Sequence, residues 1–258
     1  MVENLMYKDI LKDISFSLKE GTINALVGMN GSGKTMLFKS LFGLVAVEGL
    51  INVNGMIVTK ESIQDIRKNF GIYLDFNTLE NKTVFLNIIE PLINLDYDEC
   101  IAKKKVYEIS KKLGIENLLY KEIETLSHFQ KKIVSFAQCV IHDPNIILID
   151  GLLDGLDTYY KNKVVDYLKK YEKNRKAIII FTTNNSEDLL LAENLLILKN
   201  GKILVNGLVK ELIQDENIFL KNRIKLPFIA DLSYKLKAYN LINRFIYDID
   251  EMVDEIWQ

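Results

Sequence analysis

Short apolar segments that alternate with amphipathic stretches predict an α/β fold. Residues 23–27, 145–149 and 177–181 are almost continuously apolar, which is typical of strands buried on both faces of a parallel sheet. Between these segments, residues 36–42 and 159–171 have apolar side chains at helical spacing. Strands that alternate with helices in this way predict a largely parallel sheet covered by helices.

Other patterns predict antiparallel pairs of strands. An Asn-Gly pair stands in the middle of residues 50–58, and a second stands within residues 195–205. Asn-Gly suits the tight type I′ turn of a hairpin. Residues 14–18 alternate between apolar and polar side chains, as a half-buried strand does. The sequence therefore predicts an N-terminal antiparallel β part and a hairpin near residue 200.

Charged, helix-prone sequence predicts two further units. It occupies about residues 76–140, which would be a helical subdomain inserted into the α/β core. The clearest amphipathic stretch in this block is residues 100–113. Residues 208–258 are predicted to form a helical C-terminal extension to a main domain of residues 1–207.

Composition excludes several classes of protein. The net charge of -2 gives no polycationic surface, so nucleic acid is not expected as a partner. Cys100 and Cys139 are far apart and match no metal-binding spacing, which favours a reducing compartment. No apolar run approaches the roughly 20 residues that span a bilayer, and the first residues do not resemble a signal peptide. We expect a cytoplasmic protein, or one held at a membrane by another subunit.

A glycine-rich loop between a predicted strand and a predicted helix is the strongest functional signal. Residues 28–35 read Gly-Met-Asn-Gly-Ser-Gly-Lys-Thr and fit the G-x-x-x-x-G-K-[ST] pattern of phosphate-binding loops. Such loops aim main-chain N–H groups at phosphates, and the helix start adds partial positive charge. We expect Lys34 to reach the β- and γ-phosphates of ATP and Thr35 to bind Mg²⁺. The candidate nucleotide-binding residues are Gly28, Asn30, Gly31, Ser32, Gly33, Lys34 and Thr35.

A carboxylate at the end of a buried strand supplies the second part of such a site. Residues 146–149 are all Ile or Leu, and Asp150 follows them. This places Asp150 at the carboxyl edge of the sheet, where ligands of α/β proteins bind. Asp150 is therefore the second predicted Mg²⁺ ligand.

Together these motifs resemble the nucleotide-binding domain of ABC transporters over about residues 1–207. Residues 126–130, Leu-Ser-His-Phe-Gln, stand at the family's signature position, where Leu-Ser-Gly-Gly-Gln is typical. Residues 155–157, Gly-Leu-Asp, match the loop that crosses the dimer interface, and residues 196–207 resemble the closing hairpin. The resemblance implies a P-loop NTPase core of the ABC ATPase type with an inserted helical subdomain.

The resemblance also implies partners. In that family two cassettes pair head to tail, and ATP lies between the phosphate loop of one and the signature of the other. The inserted helices contact an integral membrane subunit, so the chain would lie at the inner face of the cell membrane. By the same resemblance Tyr7 is expected to stack on adenine, and the Ser127 hydroxyl is expected to contact phosphate.

The chain departs from the family pattern at four positions. The catalytic glutamate of the family aligns with Gly151, which has no side chain to take a proton. The switch histidine aligns with Asn184, whose amide can donate a hydrogen bond but cannot titrate near neutral pH. The metal-sensing glutamine aligns with Asp75, still an oxygen ligand. Phe129 replaces a signature glycine and would crowd the phosphate.

These departures preserve binding groups and remove proton-handling groups. We therefore expect an ATP-binding subunit that binds ATP with Mg²⁺ but hydrolyses it slowly or not at all alone. Asp154 is the nearest acidic candidate for a substitute base, but we favour its interpretation as a solvated loop aspartate. A homodimer would repeat both defects in each site, so we favour a heterodimer with a second, intact ABC ATPase subunit. The alternatives are a non-hydrolytic ATP-sensing module and an ATPase that uses unfamiliar residues.

Overall fold

The computed structural model describes residues 1–53, 55–59, 61–74 and 79–256. Ten strands and ten α-helices lie within these described residues. The strands are β1 (Val2–Tyr7), β2 (Leu11–Phe16), β3 (Thr22–Val27), β4 (Glu48–Val53), β5 (Met56–Ile57), β6 (Phe70–Tyr73), β7 (Ile146–Asp150), β8 (Ile178–Thr182), β9 (Asn194–Lys199) and β10 (Lys202–Leu208).

The helices fall between and after these strands. They are α1 (Lys34–Leu41), α2 (Ile63–Arg67), α3 (Val84–Asn94), α4 (Glu99–Leu113), α5 (His128–Val140), α6 (Thr158–Arg175), α7 (Val209–Leu212), α8 (Glu216–Asn222), α9 (Phe228–Ala238) and α10 (Ile249–Ile256). The three helices that apolar spacing marked, α1, α4 and α6, each begin one or two residues before the marked segment, because their polar first residues carry no apolar signal.

The central sheet has six strands in the order β10-β9-β3-β8-β7-β6. All neighbouring pairs are parallel except β9 and β10, which form the predicted antiparallel hairpin. Alternate residues of each strand enter two different apolar clusters: Leu148 packs on one face, and Ile147 and Ile149 pack on the other. Burial of both faces explains why these strands are almost continuously apolar.

A second, antiparallel sheet has the order β2-β1-β4-β5. It confirms the predicted N-terminal antiparallel part, and β1 pairs with both β2 and β4. Val53 pairs with Met56 across the predicted Asn-Gly turn, although Asn54 itself lies outside the described residues. Apolar side chains of this sheet pack in the same cluster as Leu37, Phe38 and Leu41 of α1. The sheet therefore supports the helix that follows the glycine-rich loop.

Helices α3, α4 and α5 lie between β6 and β7 in the chain. Side-chain oxygens cap their first turns: Thr83 caps α3, Asp98 caps α4 and Ser127 caps α5. Such caps satisfy main-chain N–H groups that have no partner within the helix. No helix within the described residues is long and apolar enough to cross a membrane.

The C-terminal helices begin inside the same core as the sheet. Val209, Ile213, Phe219 and Ala230 belong to the apolar cluster that includes β3, β7 and β8. A separate small cluster is formed by Ile229, Ile242, Ile246 and Met252. The domain boundaries at 207 and 208 remain predictions, but α7 and α8 pack as part of the main body.

This packing predicts a large effect of one C-terminal substitution. The Phe219 side chain is 1% exposed, so Phe219→Ala should lower the free energy of unfolding by about 3 kcal/mol or more through lost burial and a cavity. Its neighbour Leu220 is 64% exposed, and Leu220→Ala is the matched control, with a change under about 0.5 kcal/mol. Urea unfolding followed by circular dichroism measures both values; equal small losses would contradict the shared core.

Candidate functional site

The glycine-rich loop connects the end of β3 to the start of α1 and lies against β9. A Cβ atom at Gly28 would be 2.1 Å from the Leu198 carbonyl oxygen and 2.8 Å from Ser32 Oγ. No side chain fits in that space, so the close approach of the loop to β9 requires glycine.

The start of α1 is open to a ligand. Its N-cap is Gly33, and no side chain caps the helix, so its first N–H groups and its positive dipole end face out of the helix. Ser32 Oγ is buried and has no hydrogen-bond partner among the described residues. A buried hydroxyl without a partner is costly, and a phosphate oxygen would satisfy it. Both features fit an anionic ligand at this loop.

Lys34 is held over its own loop. Its Nζ donates hydrogen bonds to the carbonyl oxygens of Gly28 at 2.7 Å and Met29 at 3.3 Å. Burial lowers the pKa of the Lys34 ammonium, while the charges of Asp150 and Asp154 oppose that shift. The ammonium group thus lies between the loop carbonyls and two carboxylates, where a phosphate can also reach it.

Asp150 lies at the carboxyl end of β7, as the sequence predicted for it. The Thr35 hydroxyl donates a hydrogen bond to Asp150 Oδ2. On the other side, Thr182 Oγ1 donates to Asp150 Oδ1 at 2.6 Å and accepts from the Gly151 N–H at 2.9 Å. The fold therefore brings together two of the three predicted Mg²⁺ ligands, Thr35 and Asp150, and fixes the carboxylate from both sides.

A cavity of about 450 Å³ lies over this arrangement, and we call it the phosphate cavity. It contains most of the predicted nucleotide-binding residues together with residues that follow β7 and β8. Its lining residues are Ile10, Asn30, Gly31, Gly33, Lys34, Thr35, Met36, Asp150, Gly151, Asp154, Thr182, Thr183 and Asn184.

A second cavity of about 450 Å³ lies beside the first, and it includes C-terminal residues. Gly28, Met29 and Asn30 form one wall, and Arg223 and Lys225 are also part of its lining. Sequence reasoning missed these two cations because they lie in no motif. Their only sequence signal is a pair of basic residues after a helix, a common surface pattern.

Two other predicted site residues, Tyr7 and Ser127, are not among the residues that line the phosphate cavity. Tyr7 is half-buried at the end of β1, but Ile10, not Tyr7, lines the phosphate cavity. Ser127 is exposed at the start of α5, where its hydroxyl accepts from the Gln130 N–H, and it does not line the cavity. Asp75 lies outside the described residues. Stacking by Tyr7 and phosphate contact by Ser127 therefore stay predictions.

The position of the missing carboxylate has an unusual backbone. Gly151 has a φ of 67°, and a Cβ there would meet nothing within 4 Å. Space is therefore available, but the left-handed conformation disfavours any residue with a side chain. Asn184 lines the phosphate cavity, as predicted, and its amide Nδ2 donates to Asp154 Oδ2 at 2.8 Å.

The whole arrangement fits ATP and Mg²⁺. The open helix start, the unpaired Ser32 hydroxyl and Lys34 suit phosphates, and the Thr35 and Asp150 oxygens are the hard ligands that Mg²⁺ prefers. No cluster of three or more His, Cys, Asp or Glu side chains suited to a metal occurs among the described residues.

Comparison with known proteins identifies the family. A family model described as ABC transporter matches residues 11–153, more than half of the chain. The chain belongs to the ABC transporter family. This confirms the family resemblance inferred from the sequence.

Two relatives have similar sequences over most of the length of this ABC transporter subunit. It is 31% identical over 258 residues to the energy-coupling factor transporter ATP-binding protein EcfA1 of Mesomycoplasma hyopneumoniae (strain 7448), covering 99% of this chain and 93% of the relative. It is 32% identical over 235 residues to the corresponding EcfA2 protein of Caldanaerobacter subterraneus subsp. tengcongensis, covering 88% of this chain and 82% of that one.

A solved structure gives the same result. The structure of cbiO1 from Clostridium perfringens, described as part of the ABC transporter complex cbiONQ, matches with a TM-score of 0.75 and 28% identity. The match covers 90% of this chain and 96% of that chain. The chain is thus an ATP-binding subunit of the ABC transporter type, with the predicted ABC ATPase fold.

The conformation of Gly151 predicts a penalty for any side chain there. Gly151→Ala should lower the free energy of unfolding by about 1 kcal/mol through backbone strain alone, since no neighbour obstructs the new Cβ. Gly207→Ala is the matched control, because its φ is not positive and its nearest neighbours lie at 3.4 Å or more. Urea denaturation would contradict this explanation if the two variants were equally stable.

Proposed function

We propose that this chain binds Mg-ATP in the phosphate cavity as a subunit of an energy-coupling-factor type of ABC transporter, and hydrolyses it slowly by itself. One observation supports both parts. Lys34, Thr35 and Asp150 meet in one cavity, while Gly151 and Asn184 stand where proton-handling side chains are usual. The transporter type rests on the relatives, whose names assign them to such transporters.

The residues have separate roles in binding. The N–H groups at the start of α1, the Ser32 hydroxyl and Lys34 hold the phosphates. Thr35 and Asp150 hold Mg²⁺, which when bound neutralises phosphate charge. The Asp150 carboxylate is already oriented by Thr182, so little reorganisation is needed to receive the metal.

Slow hydrolysis follows from the missing base. A general base contributes about 10²–10⁴ in rate, and Gly151 has no group to accept a proton. Asn184 is an amide and does not titrate near neutral pH. Asp154 has a carboxylate in the same cavity, but both of its oxygens already accept hydrogen bonds from residues after β8. The chain therefore binds ATP but lacks the groups that would make its hydrolysis fast.

The partners follow from the same defects. Phe129 at the signature is 39% exposed, so it is presented to whatever cassette packs on α5. In a head-to-tail pair, the Gly151 defect affects one composite site and Phe129 affects the other. A second cassette with an intact glutamate would restore turnover at one site, so we infer a heterodimer on an integral membrane subunit, with the chain peripheral to that membrane.

A paired binding and turnover experiment tests this function. The purified chain should bind Mg-ATP by calorimetry, and Lys34→Ala should weaken binding at least tenfold because it removes a charge-assisted phosphate contact. Steady-state phosphate release by the chain alone should be at least about 100-fold slower than by the complex copurified from membranes.

Other outcomes distinguish the alternatives. Binding without release in any copurified complex would favour a non-hydrolytic ATP-sensing module. Fast release from the pure chain, abolished in Lys34→Ala, would show that unfamiliar residues perform the chemistry and would refute the explanation based on Gly151.

A further inference from the structure

A third cavity, of about 370 Å³, lies along helix α6, and we call it the α6 groove. It shares no lining residue with the phosphate cavity or with the cavity beside that one. Its volume is in the range of sites that hold small molecules. Its lining residues are Lys112, Asp143, Lys163, Asp166, Tyr167, Lys170, Tyr171, Asn174 and Arg175.

One face of α6 forms most of this groove. The lining positions 163, 166, 167, 170, 171 and 174 recur at the three- and four-residue spacing of a single helix face. The last turn of α4 adds Lys112, and the turn after α5 adds Asp143. Most of the groove is therefore built on a regular helix, which holds its side chains in fixed relative positions.

The Tyr167 hydroxyl has no hydrogen-bond partner among the described residues. Tyr167 is 8% exposed, and its ring packs against the rings of Phe136 and Tyr171. Its hydroxyl is not sealed in the core, and Tyr167 lines the groove. The Tyr171 hydroxyl, by contrast, donates to the Pro144 carbonyl oxygen at 2.8 Å. Because hydroxyls of buried residues are normally paired, the unpaired one indicates a place for a ligand atom.

This hydroxyl is suited to donate a hydrogen bond. Burial raises the pKa of Tyr167 above its ordinary value, and the neighbouring Tyr171 and Asp143 add to the shift. The hydroxyl therefore keeps its hydrogen near neutral pH. Hydrogen bonds to charged acceptors are shorter and stronger than those to neutral ones, so an anionic oxygen is the acceptor that the groove favours.

Three lysines of the groove carry charge that no carboxylate matches. Lys112, Lys163 and Lys170 form no ion pair among the described residues. The Lys163 ammonium lies 5.6 Å from the centre of the Tyr159 ring, a contact that leaves its charge available to an anion. The groove thus presents unpaired positive charge next to an unpaired hydroxyl.

The two carboxylates of the groove do not cancel this charge. Asp143 pairs with both Lys105 and Arg175, so its charge is already matched by two cations. Asp166 is exposed and forms no ion pair among the described residues. The oxygens of Asp166 and Asn174 can accept hydrogen bonds from hydroxyl or amino groups. The groove therefore suits a molecule that combines an anionic group with hydrogen-bond donors.

We propose that the α6 groove binds a small phosphorylated metabolite, a phosphate monoester that also carries hydroxyl or amino groups. The Tyr167 hydroxyl and the three unpaired lysines hold the phosphate, and Asp166 accepts hydrogen bonds from the rest of the molecule. A phosphate matches several lysines better than a carboxylate does, because it carries more charge and more acceptor oxygens. The site requires no ATP in the phosphate cavity.

An NMR titration of the full chain tests the groove. The chain contains isotope-labelled tyrosine and the Lys34→Ala substitution, which weakens phosphate binding at the glycine-rich loop. Glycerol 3-phosphate is the probe, and glycerol is the matched compound without phosphate. The signals of Tyr167 and Tyr171, assigned with their Phe variants, should shift to saturation with the probe and stay unchanged with glycerol.

Two matched pairs of variants locate the binding. Tyr167→Phe removes only the hydroxyl and should weaken probe binding about tenfold, the size of one hydrogen bond to a charged acceptor, as read from the Tyr171 signal. Tyr239→Phe, at a tyrosine that is 77% exposed and outside the groove, is its control. Lys170→Gln should weaken binding about threefold. Lys169→Gln makes the same charge change at the adjacent residue, which does not line the groove, and should change affinity less than about 1.5-fold.

Thermal unfolding separates a binding role of the Tyr167 hydroxyl from a structural one. Tyr167→Phe removes no hydrogen bond within the chain, so its Tm should stay within about 2 °C of that of the unmodified chain. Tyr171→Phe loses its bond to Pro144 and should have a lower Tm than Tyr167→Phe. A Tyr167→Phe chain that unfolds early but binds the probe normally would show that the hydroxyl is structural.

Several other results would overturn the proposal. If no groove signal shifts with the probe, there is no phosphate site. Equal weakening by Lys169→Gln and Lys170→Gln would mean that the helix attracts anions without a specific site. Cosedimentation with vesicles that contain phosphatidic acid, combined with no response to glycerol 3-phosphate, would assign the groove to a lipid surface instead of a soluble metabolite.

The outcome does not depend on the nucleotide site. If the unmodified chain fails to bind ATP while the groove signals shift as expected, the proposed function is wrong and the metabolite site remains. If the groove signals shift with Lys34 in place but not in Lys34→Ala, they report phosphate at the glycine-rich loop, and the metabolite site is wrong.

Discussion

The parallel pairing of β3, β8 and β7 is the constraint on which the site depends. Thr182 of β8 pairs with Leu26 of β3 on one side and with Asp150 of β7 on the other. The carboxyl ends of the three strands therefore lie side by side, and the segments that leave them begin at one edge of the sheet. Lys34, Asp150 and Asn184 meet there because of strand register, not because of their own attractions.

Hydrogen bonds then convert this register into fixed side-chain positions. Thr182 joins the Asp150 carboxylate to the Gly151 N–H, and the Lys34 ammonium joins the two ends of its loop. Polar groups that are satisfied in this way lose little freedom when a ligand arrives, which is the physical meaning of a preorganised site. Ser32 is the exception, since its buried hydroxyl has no partner among the described residues.

The sequence predicted the parts of the site whose geometry is local. The loop at residues 28–35 and Asp150 could be placed because each follows an apolar strand directly. The contact between Asp154 and Asn184 could not, since it joins residues 30 apart and depends on the register of β7 and β8. The positions of Arg223 and Lys225 could not be predicted either, because they lie beside the loop only after α8 has packed on the core.

That packing places the segment after α8 beside the glycine-rich loop. Phe219 anchors α8 in the main core, and the turn after it supplies a wall of the cavity beside Gly28. A chain trimmed to residue 207 would lack this wall, and the cavity beside Gly28 would be open on that side.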